Sequence, residues 1–229
     1  MITAAPRHYD AYAIRWKAVE EFDEKGKPRS ALEEVEKILV LARKERNAPQ
    51  VVKALVHRVK YLMEVGEKEH PEMLRMLESE VAAAKFPEKR ILQSLLAEAY
   101  WNYFSANRWE FYNRTATTNL KEDDAATWSL AKIMERMIAL HRESIADADR
   151  LKDVPLGLMD EIITRGSVPR GYRPTLYDFL AHRAVDFFMI DESQLTRPAR
   201  EFEIDSADYF KPAGEFAALS IAFDDPSSL

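Results

Sequence analysis

Apolar residues recur at the helical period in segment after segment of this chain, and that spacing leaves few alternatives for its fold. The clearest case is 50–65. There Val52, Leu55, Val56, Val59, Leu62 and Met63 follow the i, i+3, i+4, i+7 pattern that forms one stripe of a helix. The same period groups Tyr9, Tyr12, Trp16, Val19 and Phe22 over 8–24, and Ala31, Val35, Ile38, Leu39 and Ala42 over 29–46. It continues with Leu74, Leu77, Val81 and Ala84 over 71–85. Over 88–106 the apolar arc of Leu92, Leu95, Leu96, Ala99, Tyr100, Tyr103 and Phe104 is wide, which predicts a central, largely buried helix.

Glycine and proline act as punctuation. The 229 residues contain only 6 Gly, as expected where helix interiors dominate and tight hairpins are few, so the 11 Pro read as element ends and starts. Gly26 and Pro28 separate the first two helices, Asn47 and Pro49 the next pair, Gly66 ends the third, and Phe86-Pro87 closes the fourth. The four helices read as two hairpins turning at Gly26 and Gly66. The turn glycines are 66 − 26 = 40 residues apart, inside the wider range of helical repeats. The first turn, Gly26 to Ala31, resembles a tetratricopeptide turn, with a small residue five places after the glycine.

Beyond 106 the pattern loosens. Asn107 to Lys121 reads as a loop with a short helix, and Asp123 as the N-cap of one long helix over 125–150 carrying Leu130, Ile133, Met134, Met137, His141 and Ile145 on a face. Pro155 stops it, and 156–164 reads as one short helix. Arg165 to Pro174 is a loop. Thr175 and Asp178 then form a capping box opening a helix to about 190, with Leu176, Leu180, Ala184, Phe187 and Phe188 inward. Residues 196–229 show no sustained helical period. Phe202, Ile204, Phe216, Leu219, Ile221 and Phe223 predict extended segments there. The expected organisation is a helical hairpin domain over 1–195 and an irregular arm over 196–229 that leads to further domains. The fold class is all-α: stacked antiparallel helical hairpins in a tetratricopeptide-like superhelix.

Charge and composition exclude several functions. The 33 basic and 39 acidic residues are interspersed for a net −6, with no basic stripe to bind nucleic acid. Cysteine is absent, which excludes disulfides, thiolate nucleophiles and cysteine zinc sites. No apolar run reaches membrane-spanning length. No Gly-rich phosphate loop and no nucleophile elbow occur.

What remains are candidates with plain structural counterparts. Asp178, His182 and Asp186 share a helix stripe at i, i+4, i+8, which could supply metal ligands. The competing reading is a histidine in helix-local hydrogen bonds. His141 could be a catalytic base or a satisfied core histidine. His8, His57 and His70 have no partner spacing. Asn113-Arg114-Thr115 fits a glycosylation sequon, or pins a loop to the bundle. The aromatic clusters 100–104 and 109–112 could line a peptide groove, with Trp101, Trp109 and Tyr112 as partner-binding residues. Aromatics at this spacing more often belong to the core. No catalytic, metal or cofactor-binding residue is assigned, and the chain is expected not to be an enzyme.

Three stretches carry a resemblance: Leu95 to Trp101 with Asn107 to Thr115, Tyr172 to Ala184, and the opening hairpin Trp16 to Ala31. Together they resemble the amino-terminal helical region of the large alpha-2-macroglobulin-like proteins of Bacteroidetes bacteria, over most of 9–205. The resemblance implies a long, exported, periplasmic or outer-surface envelope protein in which macroglobulin β-domains follow the helical part. It implies a parent related to endopeptidase inhibitors, acting in some members through a thioester. Without cysteine, no thioester residue carries over. It further implies partners among the other domains of the same polypeptide and possible protease or protein partners, with the export signal outside the 229 residues. In this frame the Tyr172–Ala184 run defines the fold, with Arg173 and Arg183 bonding loop carbonyls. The expected function is a non-catalytic scaffold or docking region. The alternatives are a tetratricopeptide-like peptide- or protein-binding module, and a small helical enzyme with a metal site around His182.

Overall fold

A computed structural model describes residues 8–66, 70–113, 124–160, 162–163, 170–190, 207–216 and 218–219. The architecture is all-α, as the periodicity predicts. Its helices are α1 (His8–Glu24), α2 (Pro28–Glu45), α3 (Ala48–Glu64), α4 (His70–Ala83), α5 (Glu88–Ala106), α6 (Arg108–Asn113), α7 (Leu130–Ile145), α8 (Ala148–Lys152), α9 (Leu176–Phe188) and α10 (Ala213–Phe216). The chain divides into two compact units between Val185 and Asp186.

Local chemistry sets the helix ends. Gly26 and Gly66 lie at φ +61° and +67°, a left-handed conformation that a side chain would strain. The Asn47 side chain accepts from the Gln50 N–H and caps α3. The capping box at 175–178 is formed: the Thr175 N–H donates to Asp178 Oδ2 at 2.9 Å, and the Asp178 N–H donates to Thr175 Oγ1 at 3.3 Å.

Polar pairs fix the directions of the first helices. Tyr12 Oη donates to Glu45 at 2.7 Å, which joins the start of α1 to the end of α2 and makes the pair antiparallel. Trp16 Nε1 donates to Gln50 Oε1 at 2.7 Å, and Lys60 reaches Asp23 at 2.8 Å, so α1 and α3 run parallel, and each also packs against α2. Ala31, Val35, Ile38, Leu39 and Ala42 are buried on α2, as expected. Burying a large aliphatic side chain this way contributes roughly 1.5–3 kcal/mol before the ordering cost.

The turn at Gly66 does not close a tight hairpin. The close helix pairs are α1–α2, α2–α3, α4–α5 and α5–α7, with α3 also against α5, and α3 and α4 approach each other far less. Helix α5 sits in the middle of the first unit, against α3, α4, α6 and α7, as its wide apolar arc predicts. It buries Ile91, Leu92, Leu96, Tyr100, Tyr103 and Phe104. The α3 face is rotated from its expected position. Val51, Val52, Ala54, Leu55, Tyr61 and Leu62 are buried, whereas Val56 and Met63 are exposed. Two helix partners on different sides select a broader arc than one stripe.

The expected helix over 125–150 is interrupted twice. The Asp124 side chain accepts from the Ala126 N–H and starts a 3-10 turn, Ala125–Thr127. Trp128 is extended at φ −74°, ψ 148°, and Ser129 then caps α7. Burial of Trp128 against Tyr100, with centroids 5.4 Å apart, gives the break its reason. The expected cap Asp123 lies outside the described residues. Helix 156–164 shrinks to a 3-10 turn, Leu156–Met159. Two backbone hydrogen bonds, Leu156 N–H to Pro174 O and Leu176 N–H to Val154 O, hold this segment against the start of α9.

In the second unit Phe216 lies in α10 rather than in an extended segment, and α10 packs against the 3-10 turn Ala207–Phe210. Pro212 supplies the reason, because its carbonyl accepts the N–H groups of Glu215 and Phe216 and starts a turn of helix. Phe202, Ile204, Ile221 and Phe223 lie outside the described residues.

Candidate functional site

The aromatic residues split by environment. Phe104 is buried at the centre of a ring cluster, 5.6 Å from Trp101, 5.7 Å from Phe111 and 6.4 Å from Tyr112 between centroids. Trp101 is half-buried and Tyr112 partly exposed, and both lean on that cluster. Trp109 points outward with 82% of its surface exposed. Trp109 and Tyr112, three residues apart, are both exposed on α6, and Trp101 is half-buried on α5. Asn113 Nδ2 and its sequon partners lie outside the described side chains.

Chemistry around the histidines is structural. Asp178 spends its carboxylate on Thr175, which donates from both N–H and Oγ1, and His182 and Asp186 are exposed. Among the described residues no His/Asp/Glu group could hold a metal ion. His141 is buried on α7, and burial pushes its pKa down to about 4. Arg183 adds to that shift and Glu98 opposes it. His57 packs 4.8 Å from the Trp16 ring, and burial, then Lys53 and Lys60, lower its pKa. Both imidazoles thus favour the neutral form. Arg183 bonds Ser94 Oγ at 2.8 Å and Glu98 at 2.6 Å, so it ties α9 to α5 rather than bonding a loop carbonyl.

A polar seam that periodicity does not reveal joins α4, α5 and α7. Glu78 accepts from Tyr100 Oη at 2.9 Å and from Arg136 Nε and Nη2 at 2.8 and 2.7 Å. Glu143 accepts from Gln93 Nε2 at 2.6 Å, and Arg90 bonds Gln93, the Glu143 carbonyl and Asp147. The fork of Arg136 matches the carboxylate in two parallel bonds. Burial, reinforced by Glu78, raises the Tyr100 phenol, so it stays a donor. These inter-helix partners stand 22 to 58 positions apart and leave no periodic signal, which is why only the fold brings them together.

Among the described residues, two of the clefts lie between these elements. The larger, of about 850 Å³, lies between the α2–α3 corner and the α4–α5 corner. Its apolar lining comes from Ala48, Val51, Ala83 and Phe86. Its polar lining comprises the cations Arg43, Arg46 and Lys85 and the carboxylates Glu80 and Glu88. Glu80 is held by Arg43 and by Arg58 at 3.4 Å. Burial raises the Glu88 pKa, with Arg43 opposing and Glu80 assisting. The Arg150 guanidinium stacks 3.9 Å from the centroid of the Phe86 ring. Ser79 Oγ–H donates to the Arg75 carbonyl. A smaller groove of about 180 Å³ lies between α3, α5 and α9, where Val56, His57, Leu95, Phe179 and Arg183 contribute. Trp101, Trp109 and Tyr112 line neither cleft.

Comparisons with protein-family models, curated proteins and solved structures find no match to this chain.

Proposed function

We propose that the chain is a non-catalytic helical docking module whose larger cleft holds a segment of another polypeptide. The observation that carries this reading is the cleft at the helix corners, which combines volume with apolar and charged lining residues. Its volume is at the upper end of the roughly 300–1,000 Å³ typical of ligand clefts. The side chains best suited to acid–base chemistry are committed elsewhere: His57 and His141 to packing, Glu78 and Glu143 to the seam, and Asp178 to a cap.

On the resemblance noted above, this module belongs to the amino-terminal part of an exported macroglobulin-like envelope protein. The docked segment is then another domain of that polypeptide or a protein partner. The experiment is a peptide-array screen of the 229-residue protein and of Ala83→Trp, which fills the cleft from an exposed helix position. Peptides selected by the wild type should lose binding to Ala83→Trp. Equal binding to both proteins refutes the reading.

A further inference from the structure

We infer that the occupant of the larger cleft is an acidic polypeptide segment, recognised through Arg46 and Lys85 and anchored by an apolar side chain beside Phe86. The inference rests on the docking reading and specifies its chemistry.

Charge is the first reason. The protein carries a net −6, yet three cations face two carboxylates in this cleft. Arg43 and Arg58 pair with Glu80, which leaves Arg46 and Lys85 against Glu88 alone in the lining. Arg46 and Lys85 are exposed, and neither has an acidic partner among the described residues. The helix ends do not reverse this balance. α2 and α4 finish at the cleft while α3 and α5 begin there, so their opposed dipoles offset one another and the side chains set the potential.

Geometry is the second reason. The Arg46 backbone is fixed at the end of α2: it is left-handed at φ 56°, and its N–H bonds back into the last turn. Lys85 stands on the linker between α4 and α5, at the other corner. Ala48, Val51, Ala83 and Phe86 line the same cleft, and the Arg150 guanidinium lies 3.9 Å from the Phe86 ring centroid. Carboxylates meeting the two cations and an aliphatic side chain meeting the apolar lining satisfy both kinds of surface. A nucleic acid would meet the negative field of the whole chain with only a small basic set to offset it.

The test is fluorescence polarisation with a labelled short peptide of alternating Glu and Leu, beside its Gln/Leu and Lys/Leu counterparts. Binding of the Glu/Leu peptide should weaken with added salt and fall at least about tenfold in Arg46→Glu/Lys85→Glu. Lys85→Glu alone, on the linker, should move affinity in the same direction if Arg46→Glu disturbs the end of α2. Far-ultraviolet circular dichroism of each variant checks the fold. If the Gln/Leu peptide binds as tightly, the charge-reversed protein is indifferent and Ala83→Trp abolishes binding, the acidic occupant is refuted and the docking reading stands. If no peptide depends on Ala83→Trp, both fall. Vesicles of phosphatidylglycerol or inorganic phosphate bound through Arg46 and Lys85, without peptide binding, also overturn the proposal.

Discussion

His141 makes the stability of this protein depend on pH in a way that can be isolated. Its imidazole is buried on α7 near the Arg183–Glu98 ion pair, and its pKa is pushed down to about 4. In the unfolded chain an ordinary histidine titrates near 6.5. The unfolded state therefore takes up a proton that the folded state refuses, and stability falls as pH drops through that window. The loss relative to neutral pH is about 2 kcal/mol by about pH 5 and approaches about 3 kcal/mol near pH 4. Carboxylates titrate over part of the same range, so the measurement needs a reference. His141→Leu removes the titrating group with little change of volume. Urea denaturation of both proteins at several pH values between about 7 and 4 gives the difference in unfolding free energy, and the shared carboxylate contribution cancels. The wild type should lose about 2–3 kcal/mol relative to His141→Leu across that range. A difference that stays constant with pH would falsify the assignment of a neutral, buried His141.

Other consequences are as direct. Glu78→Gln removes the carboxylate that accepts from Tyr100 and Arg136; because Arg136 keeps 25% side-chain exposure, the cost should be about 2 kcal/mol rather than the ~3–5 of a fully buried pair, read from the urea midpoint. An unchanged midpoint would show that the seam contributes nothing to stability. Gly26→Ala places a side chain at φ +61° with no atom within 4 Å to clash, so conformational strain alone should cost about 1–2 kcal/mol in a thermal melt. Trp109→Phe should remove most of the acrylamide-quenchable fluorescence, because Trp16 and Trp128 are buried and Trp101 is half-buried. Quenching that persists in the variant would place Trp109 in the core instead.

Helix locations were legible because each depends on neighbours in sequence. The 88–106 prediction matches α5, Gly26 and Gly66 end helices as expected, and the Thr175–Asp178 box forms. All of these follow from an apolar period, a left-handed turn or a side chain three residues away. The misread places are those where a distant contact outweighed the local pattern. Trp128 leaves the helical path to stack on Tyr100, and the stripe on α3 widened because both α2 and α5 pack against it.

The amino-acid sequence by itself determined an all-α chain, the number and order of its early helices, and the absence of cysteine chemistry. Only the tertiary structure decided which helices touch, that Glu78 would gather Tyr100 and Arg136, and that Arg46 and Lys85 would share a cleft 39 residues apart in sequence. The reason is range. Backbone hydrogen bonds and apolar periodicity act within a few residues, so they are written locally. Ion pairs and clefts depend on how helices cross, and surface charges carry no period that announces their partners.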